Sequence, residues 1–246
     1  MRQFVRLFLA LLLAAGCSDA VPAHEQSHVD RAKAVDVAAL DASLGSQRLE
    51  DWLQSVARDR SIQWSSVDCD GRRCARFDVG DAERPSATAV LEVDPRPRLL
   101  ELEVPPFTGD ATPLSALPDL LERGEKTVAF AKALDVRTLD PALPSQPLDE
   151  WLRRGPMELR EIDWRVSDCN MKPIDDDRDR YPLCVDFVFE RGAVRGLGIV
   201  RVGTLGGGPA QPASLVHVLL TAKRAGTESH VTSKLAELPA LVAKYQ

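Results

Sequence analysis

Residues 32–37, Ala-Lys-Ala-Val-Asp-Val, return at 131–136 as Ala-Lys-Ala-Leu-Asp-Val, and the agreement continues in order along the chain. Leu40-Asp41 matches Leu139-Asp140, Ser46-Gln47-Arg48-Leu49 matches Ser145-Gln146-Pro147-Leu148, and Trp52-Leu53 matches Trp151-Leu152. After one inserted residue, Ile62, Trp64, Asp68 and Cys69 correspond to Ile162, Trp164, Asp168 and Cys169. Cys74-Ala75-Arg76-Phe77 then aligns with Cys184-Val185-Asp186-Phe187. Near the ends, Leu117-Pro118 and Leu120-Leu121 match Leu238-Pro239 and Leu241-Val242. Self-similarity constrains a fold more than any local propensity, because one architecture must serve both copies. A period of about 100 residues is too long for a solenoid and suits a small domain. The sequence therefore reads as a tandem duplication, with repeat unit 1 at 32–126 and repeat unit 2 at 127–246.

Each unit has a readable order of elements. Leu49, Trp52, Leu53 and Val56 recur at helical spacing, and Leu148, Trp151 and Leu152 repeat the stripe before Gly155-Pro156 ends it. Alternating apolar residues follow, as in half-buried strands: Ile62 and Trp64; Ala75, Phe77 and Val79; Ala89, Leu91 and Val93; Leu100, Leu102 and Val104. Unit 2 offers Ile162 and Trp164, then Val185, Phe187 and Phe189, a run at 197–202, and Val216, Val218 and Leu220. A helix closes each unit. The expected fold class is α+β, each unit a four-stranded, mostly antiparallel sheet with helices packed on one face.

The first seventeen residues divide as an export signal does. Arg2 and Arg6 give a basic start, Leu7 to Ala15 an apolar run, and Ala14-Ala15-Gly16 a small-residue approach to Cys17. Such a run is too short for a bilayer core of about 30 Å. The ending Leu13-Ala14-Ala15-Gly16-Cys17 resembles the lipobox of bacterial lipoproteins. The resemblance covers only this segment, and Ala14 stands where leucine is commonest. It implies that 1–16 are cleaved and that Cys17 is lipidated and acylated, which makes the membrane a partner; more than one acyl chain gives stable attachment. Ser18 implies, by the same resemblance, sorting to the periplasmic face of a Gram-negative outer membrane. Residues 17–31 then form a lipidated N-terminus and a flexible tether with a mean reach of about 20 Å.

Loss of Arg2 and Arg6 moves the formal charge from −6 to −8. An acidic chain repels phosphate backbones, so nucleic acid is not an expected partner. Removing Cys17 leaves an even set, Cys69, Cys74, Cys169 and Cys184, which in an oxidising periplasm reads as disulfides. Cys69–Cys74 would clamp a hairpin around Asp70-Gly71, and Cys169–Cys184 its longer counterpart; pairing between the units is the alternative.

Several patterns bear on chemistry. His24-Glu25-Gln26-Ser27-His28 satisfies HExxH, the zinc-protease pattern, which needs a rigid helix and a third ligand. Lying in the tether without an apolar stripe, it reads as solvated linker, and His24 and His28 remain weak metal candidates. Asp175, Asp177 and Asp179 alternate as in a calcium loop, but Arg180 stands where that loop needs glycine, so the segment reads as a solvated hairpin tip. Trp52, Trp64, Trp151 and Trp164 belong to the repeated skeleton and read as core. His217 alternates out of phase with its apolar neighbours and reads as facing away from the helices. No cofactor is expected.

Features in both units specify the fold, whereas features in one are free to serve function. That points to two loops of unit 2: 170–183, with Asp175, Asp177, Asp179 and Tyr181, and 203–214, with Gly206 and Gly207. The expectation is a non-catalytic protein-binding or scaffold lipoprotein of the cell envelope. An inhibitor or immunity lipoprotein that neutralises a secreted hydrolase or toxin is the second class, told apart by a single tight enzyme partner. A zinc hydrolase is the third, dismissed if His24→Ala and His28→Ala leave function intact.

Overall fold

Alternating apolar positions become strands, and stripes of leucine and tryptophan become the helices that cover them. The computed structural model describes residues 23–81, 83–108, 112–169, 182–205, 212–222 and 228–245. In the first half, α1 (Ala23–Lys33), α2 (Val37–Leu40) and α3 (Leu49–Ala57) precede β1 (Ile62–Cys69), β2 (Arg72–Gly80), β3 (Pro85–Glu92) and β4 (Arg98–Glu103). A 3₁₀ turn at Leu114–Ala116 leads into α4 (Leu117–Ala133). Next come α5 (Val136–Leu139), α6 (Leu148–Arg154), β5 (Ile162–Ser167), β6 (Pro182–Arg191), β7 (Val194–Thr204), β8 (Ser214–Ala222) and β9 (Glu228–Thr232). A second 3₁₀ turn, Leu235–Glu237, opens into α7 (Leu238–Tyr245).

The class is α+β, with two antiparallel meanders of four and five strands, ordered β1-β2-β3-β4 and β5-β6-β7-β8-β9. Phe77, Val79, Ala89 and Leu91 of the first sheet pack under Leu49, Trp52, Leu53, Leu117 and Leu121. Phe187, Phe189, Val200, Val218 and Leu220 of the second pack under Leu148, Trp151, Leu152, Leu238 and Val242. Both disulfides lie within a half: Cys69–Cys74 and Cys169–Cys184, with Cα separations of 6.0 and 5.1 Å. The short hairpin turns through Asp70 and Gly71, both at positive φ, and the Asp68 carboxylate accepts the Gly71 N–H at 2.9 Å.

Local structure in the two halves runs in step. Asp36 caps α2 by accepting from Ala38 N–H, and Asp135 caps α5 by accepting from Arg137 N–H. Leu49 N–H donates to the Val35 carbonyl, and Leu148 N–H to that of Leu134. Trp64 stands 5.4 Å from Phe77 between ring centroids, as Trp164 does from Phe187.

Four expectations change. The tether assigned to 17–31 does not hold from residue 23 onward, because α1 packs Val29 and Ala32 into the protein against β1, β2 and α3. A boundary at 126/127 falls inside α4, a single 17-residue helix, so neither half ends there. The second sheet has a fifth strand, β9, whose Val231 is 60% exposed; an edge strand facing water carries no apolar alternation to read. Val216 does not share a face with Val218 and Leu220, since a bulge opposite Ile199 and Val200 turns it onto Leu197, Ile199 and the Cys169–Cys184 bond.

Candidate functional site

A hollow of about 630 Å³ forms a cleft bordered by residues from both halves. Its volume is within the usual range for ligand sites, about 300–1,000 Å³. One wall is α4, which packs on α3 and β3 at one side and on α6, β5, β6 and β7 at the other. The N-terminal half of α4 is held down by buried Leu117 and Leu121, after Pro118 in its first turn, where a missing N–H costs little. That leaves Leu120, Gly124, Val128, Ala129 and Lys132 along the cleft. The turn after β4 supplies Val104, Pro105 and Phe107, fixed by Phe107 N–H to the Val104 carbonyl at 2.8 Å and by Val104 N–H to Thr108 Oγ1 at 2.9 Å. Arg84, Pro85 and Ser86 enter from the start of β3, and Trp164, Arg165 and Val166 from β5.

Gly124 keeps the cleft open. A Cβ there would lie 3.7 Å from Phe107 and 4.0 Å from Val166, which is ordinary contact, so a larger side chain at this point would fill the space. Mid-helix glycine costs about 0.5–1 kcal/mol relative to alanine, and here it leaves room.

The polar groups at the cleft are mainly donors and cations. Arg60 pairs with Glu125, whose carboxylate Arg58 also reaches at 3.7 Å. Arg84 and Lys132 have no carboxylate partner among the described residues, and the Lys132 ammonium sits 5.8 Å from the centre of the Trp164 ring. Arg165 pairs with Asp163, but its Nε is buried without an acceptor among the described residues, as is the Trp164 indole Nε1. Burial, and secondly the charge of Arg84, pulls the Arg165 guanidinium below its ordinary pKa. A smaller hollow of about 240 Å³ continues past Arg84, Trp164 and Arg165 to Asp163 and Arg195.

Among the residues singled out in the sequence, Trp164 borders the cleft. Cys17, Asp175, Asp177, Asp179, Tyr181, Gly206 and Gly207 lie outside the described residues. His24 and His28 fall on α1, so the helix that HExxH needs is present, contrary to the solvated-linker reading. His28 is only 3% exposed, packed inward with Nδ1 3.3 Å from Arg31, and burial followed by the Arg31 charge lowers its pKa. Among the described residues no three His, Cys, Asp or Glu side chains are grouped to hold a metal ion. Trp52 and Trp151 are core, at 5% and 1% exposure, whereas Trp164 is half-buried and borders the cleft. His217 is half-buried near Asp186, a carboxylate that is 8% exposed, accepts from Ser167 Oγ at 2.7 Å and is pushed up in pKa by burial. Sequence reading missed Phe107, Gly124, Lys132, Arg84 and Arg165 as one site; its single legible sign was a glycine inside a helical segment. Compared with known protein families, with curated proteins and with solved structures, the chain matches none.

Proposed function

We propose that this chain is an exported lipoprotein, anchored through Cys17 at the periplasmic face of an outer membrane. Its two-unit body is read as a tandem duplication acting as a non-catalytic protein-binding module. The lipobox-like ending before Cys17 supports the anchor, and the paired Asp36/Asp135 caps and Trp64/Trp164 contacts support the duplication. One observation carries the binding role: the 630 Å³ cleft joins apolar walls to Arg84 and Lys132, two cations without a carboxylate partner among the described residues. Those groups recognise a partner, whereas bond-breaking would call for a paired nucleophile and base.

A photo-crosslinking residue at Val128, in cells making the lipidated protein, tests this. The expected result is a discrete protein adduct that disappears when Gly124→Leu fills the cleft while the melting temperature holds. A single tightly held hydrolase or toxin as the adduct would redirect the reading to an inhibitor. Adducts unchanged by Gly124→Leu would end it. Retention of lipid label by Cys17→Ser would remove the anchor independently.

A further inference from the structure

We infer that the cleft takes an extended segment of the partner protein as an added strand on the free edge of β5, with apolar side chains alternating with carboxylates. This rests on the protein-binding reading and specifies how that site binds. Among the described residues β5 ends its sheet and pairs only with β6, in a regular ladder from Ile162–Phe189 to Ser167–Cys184 without a bulge. An end strand leaves the N–H and C=O of every second residue pointing away from the sheet, a template for another chain.

The hollows lie along that edge. Trp164, Arg165 and Val166 all border the cleft, and Asp163, Trp164 and Arg165 border its smaller continuation. Side chains alternate between the faces of a sheet, so consecutive residues share one cavity only where it runs beside the strand. The groove therefore presents backbone as well as side chains.

The alternation follows from what flanks the edge. The cleft is lined by Phe107, Val128 and Trp164, which would receive every second side chain of an added strand. Charge sets the others. In the larger cleft Arg60 is paired with Glu125 and Arg165 with Asp163, which leaves Arg84 and Lys132 without a carboxylate partner among the described residues. The smaller hollow carries three carboxylates on its lining, Asp81, Glu83 and Asp163. The carboxylates of the segment thus belong in the larger cleft, and an acyl chain, which offers no N–H or C=O to the edge, fits less well.

A displayed library of random nonapeptides, selected on the purified protein and counter-selected on Gly124→Leu, is the probe. Recovered peptides should alternate apolar and acidic residues, protect backbone amides within 162–167 from hydrogen exchange, and lose at least tenfold in affinity to Arg84→Glu/Lys132→Glu. N-methylation of alternate peptide amides, in the phase facing β5, should abolish binding. Peptides that bind without protecting β5, or that tolerate N-methylation in both phases, would overturn strand addition while leaving a protein-binding cleft. Failure to recover any peptide, or dodecanoate filling the cleft in their place, would overturn it as well. Loss of the Val128 adduct experiment, by contrast, removes the binding reading itself.

Discussion

Asp41 and Asp140 sit at matching positions, and each accepts one amide from its own half's start and one from that half's closing turn. Asp41 takes Ser43 N–H at 3.0 Å and Ser115 N–H at 2.8 Å; Asp140 takes Ala142 N–H at 3.1 Å and Ala236 N–H at 2.9 Å. The repeated Leu-Asp pair was visible in the sequence without a role, because a bond across 74 or 96 residues has no local signature. Asp41→Ala and Asp140→Ala should each cost about 1–2 kcal/mol in denaturant unfolding, the usual loss for a capping side chain. The Ser43 and Ser115 hydrogen bonds hold the Asp41 carboxyl below the usual carboxylate range. Its contribution is therefore present above the unfolded carboxyl's pKa of about 3.9 and lost as pH falls through the folded value, so Asp41→Asn should match wild type only in strong acid. Asp186 runs the other way. Burial raises its pKa, so the folded state holds the proton and stability declines as pH climbs from about 3.9 through the raised value. Asp186→Asn, which can still accept from Ser167, should be more stable than wild type at neutral pH and equal to it below pH of about 3. A variant less stable at neutral pH would refute that account.

Elements were legible where apolar spacing alone defines them. Trp52 and Leu53 marked α3, Phe77 and Val79 marked β2, and the cysteine spacing marked both hairpins. α1 was not legible, because the side chains it buries among the described ones are His28, Val29 and Ala32, which make no stripe of bulky apolar groups. β9 and the bulge at Val216 escaped for related reasons, one strand being turned to solvent and the other breaking the period of two. The cleft was illegible because its residues come from α4, β5, the start of β3 and the turn after β4, and no spacing in sequence relates them. β7 shows a constraint that the sequence does carry. Gly196 and Gly198 lie opposite Phe189 and Phe187, and a Cβ on Gly198 would fall 2.0 Å from the Phe187 ring. The first sheet pairs Val79 and Phe77 with Ala87 and Ala89 instead, so alanine stands there where the second sheet has glycine beneath its rings. Gly198→Ala should lower stability by about 1–3 kcal/mol, as overpacking does. Combining it with Phe187→Leu should recover part of that loss, and simple additivity in the double-mutant cycle would show that the ring is not the cause.

At the scale of the whole molecule, α4 decides whether there are two bodies or one. It carries Leu117 and Leu121 into the first core, places Lys132 over Trp164 of the second half, and reaches Leu205 through Arg123, whose guanidinium also lies 4.7 Å over Phe107. A helix of 17 residues spans about 25 Å, enough to reach across both sheets without a hinge. With α1 beginning at Ala23, five residues separate it from Cys17, so an anchored chain holds its first helix within about 18 Å of the lipid, a fully extended span. α4 meanwhile packs on α3 and β3 of the first half and on α6, β5, β6 and β7 of the second. Thermal unfolding should accordingly be a single transition with equal calorimetric and van't Hoff enthalpies. Glu125→Pro would break the helix between its two loads, at about 3 kcal/mol or more, since proline removes an internal hydrogen bond and clashes with the preceding turn. The expected outcome is two transitions, each with the enthalpy of one half, together with loss of the Val128 adduct, because the wall of the cleft no longer spans both sheets. Two transitions already present in the unaltered protein would mean that α4 does not couple the halves.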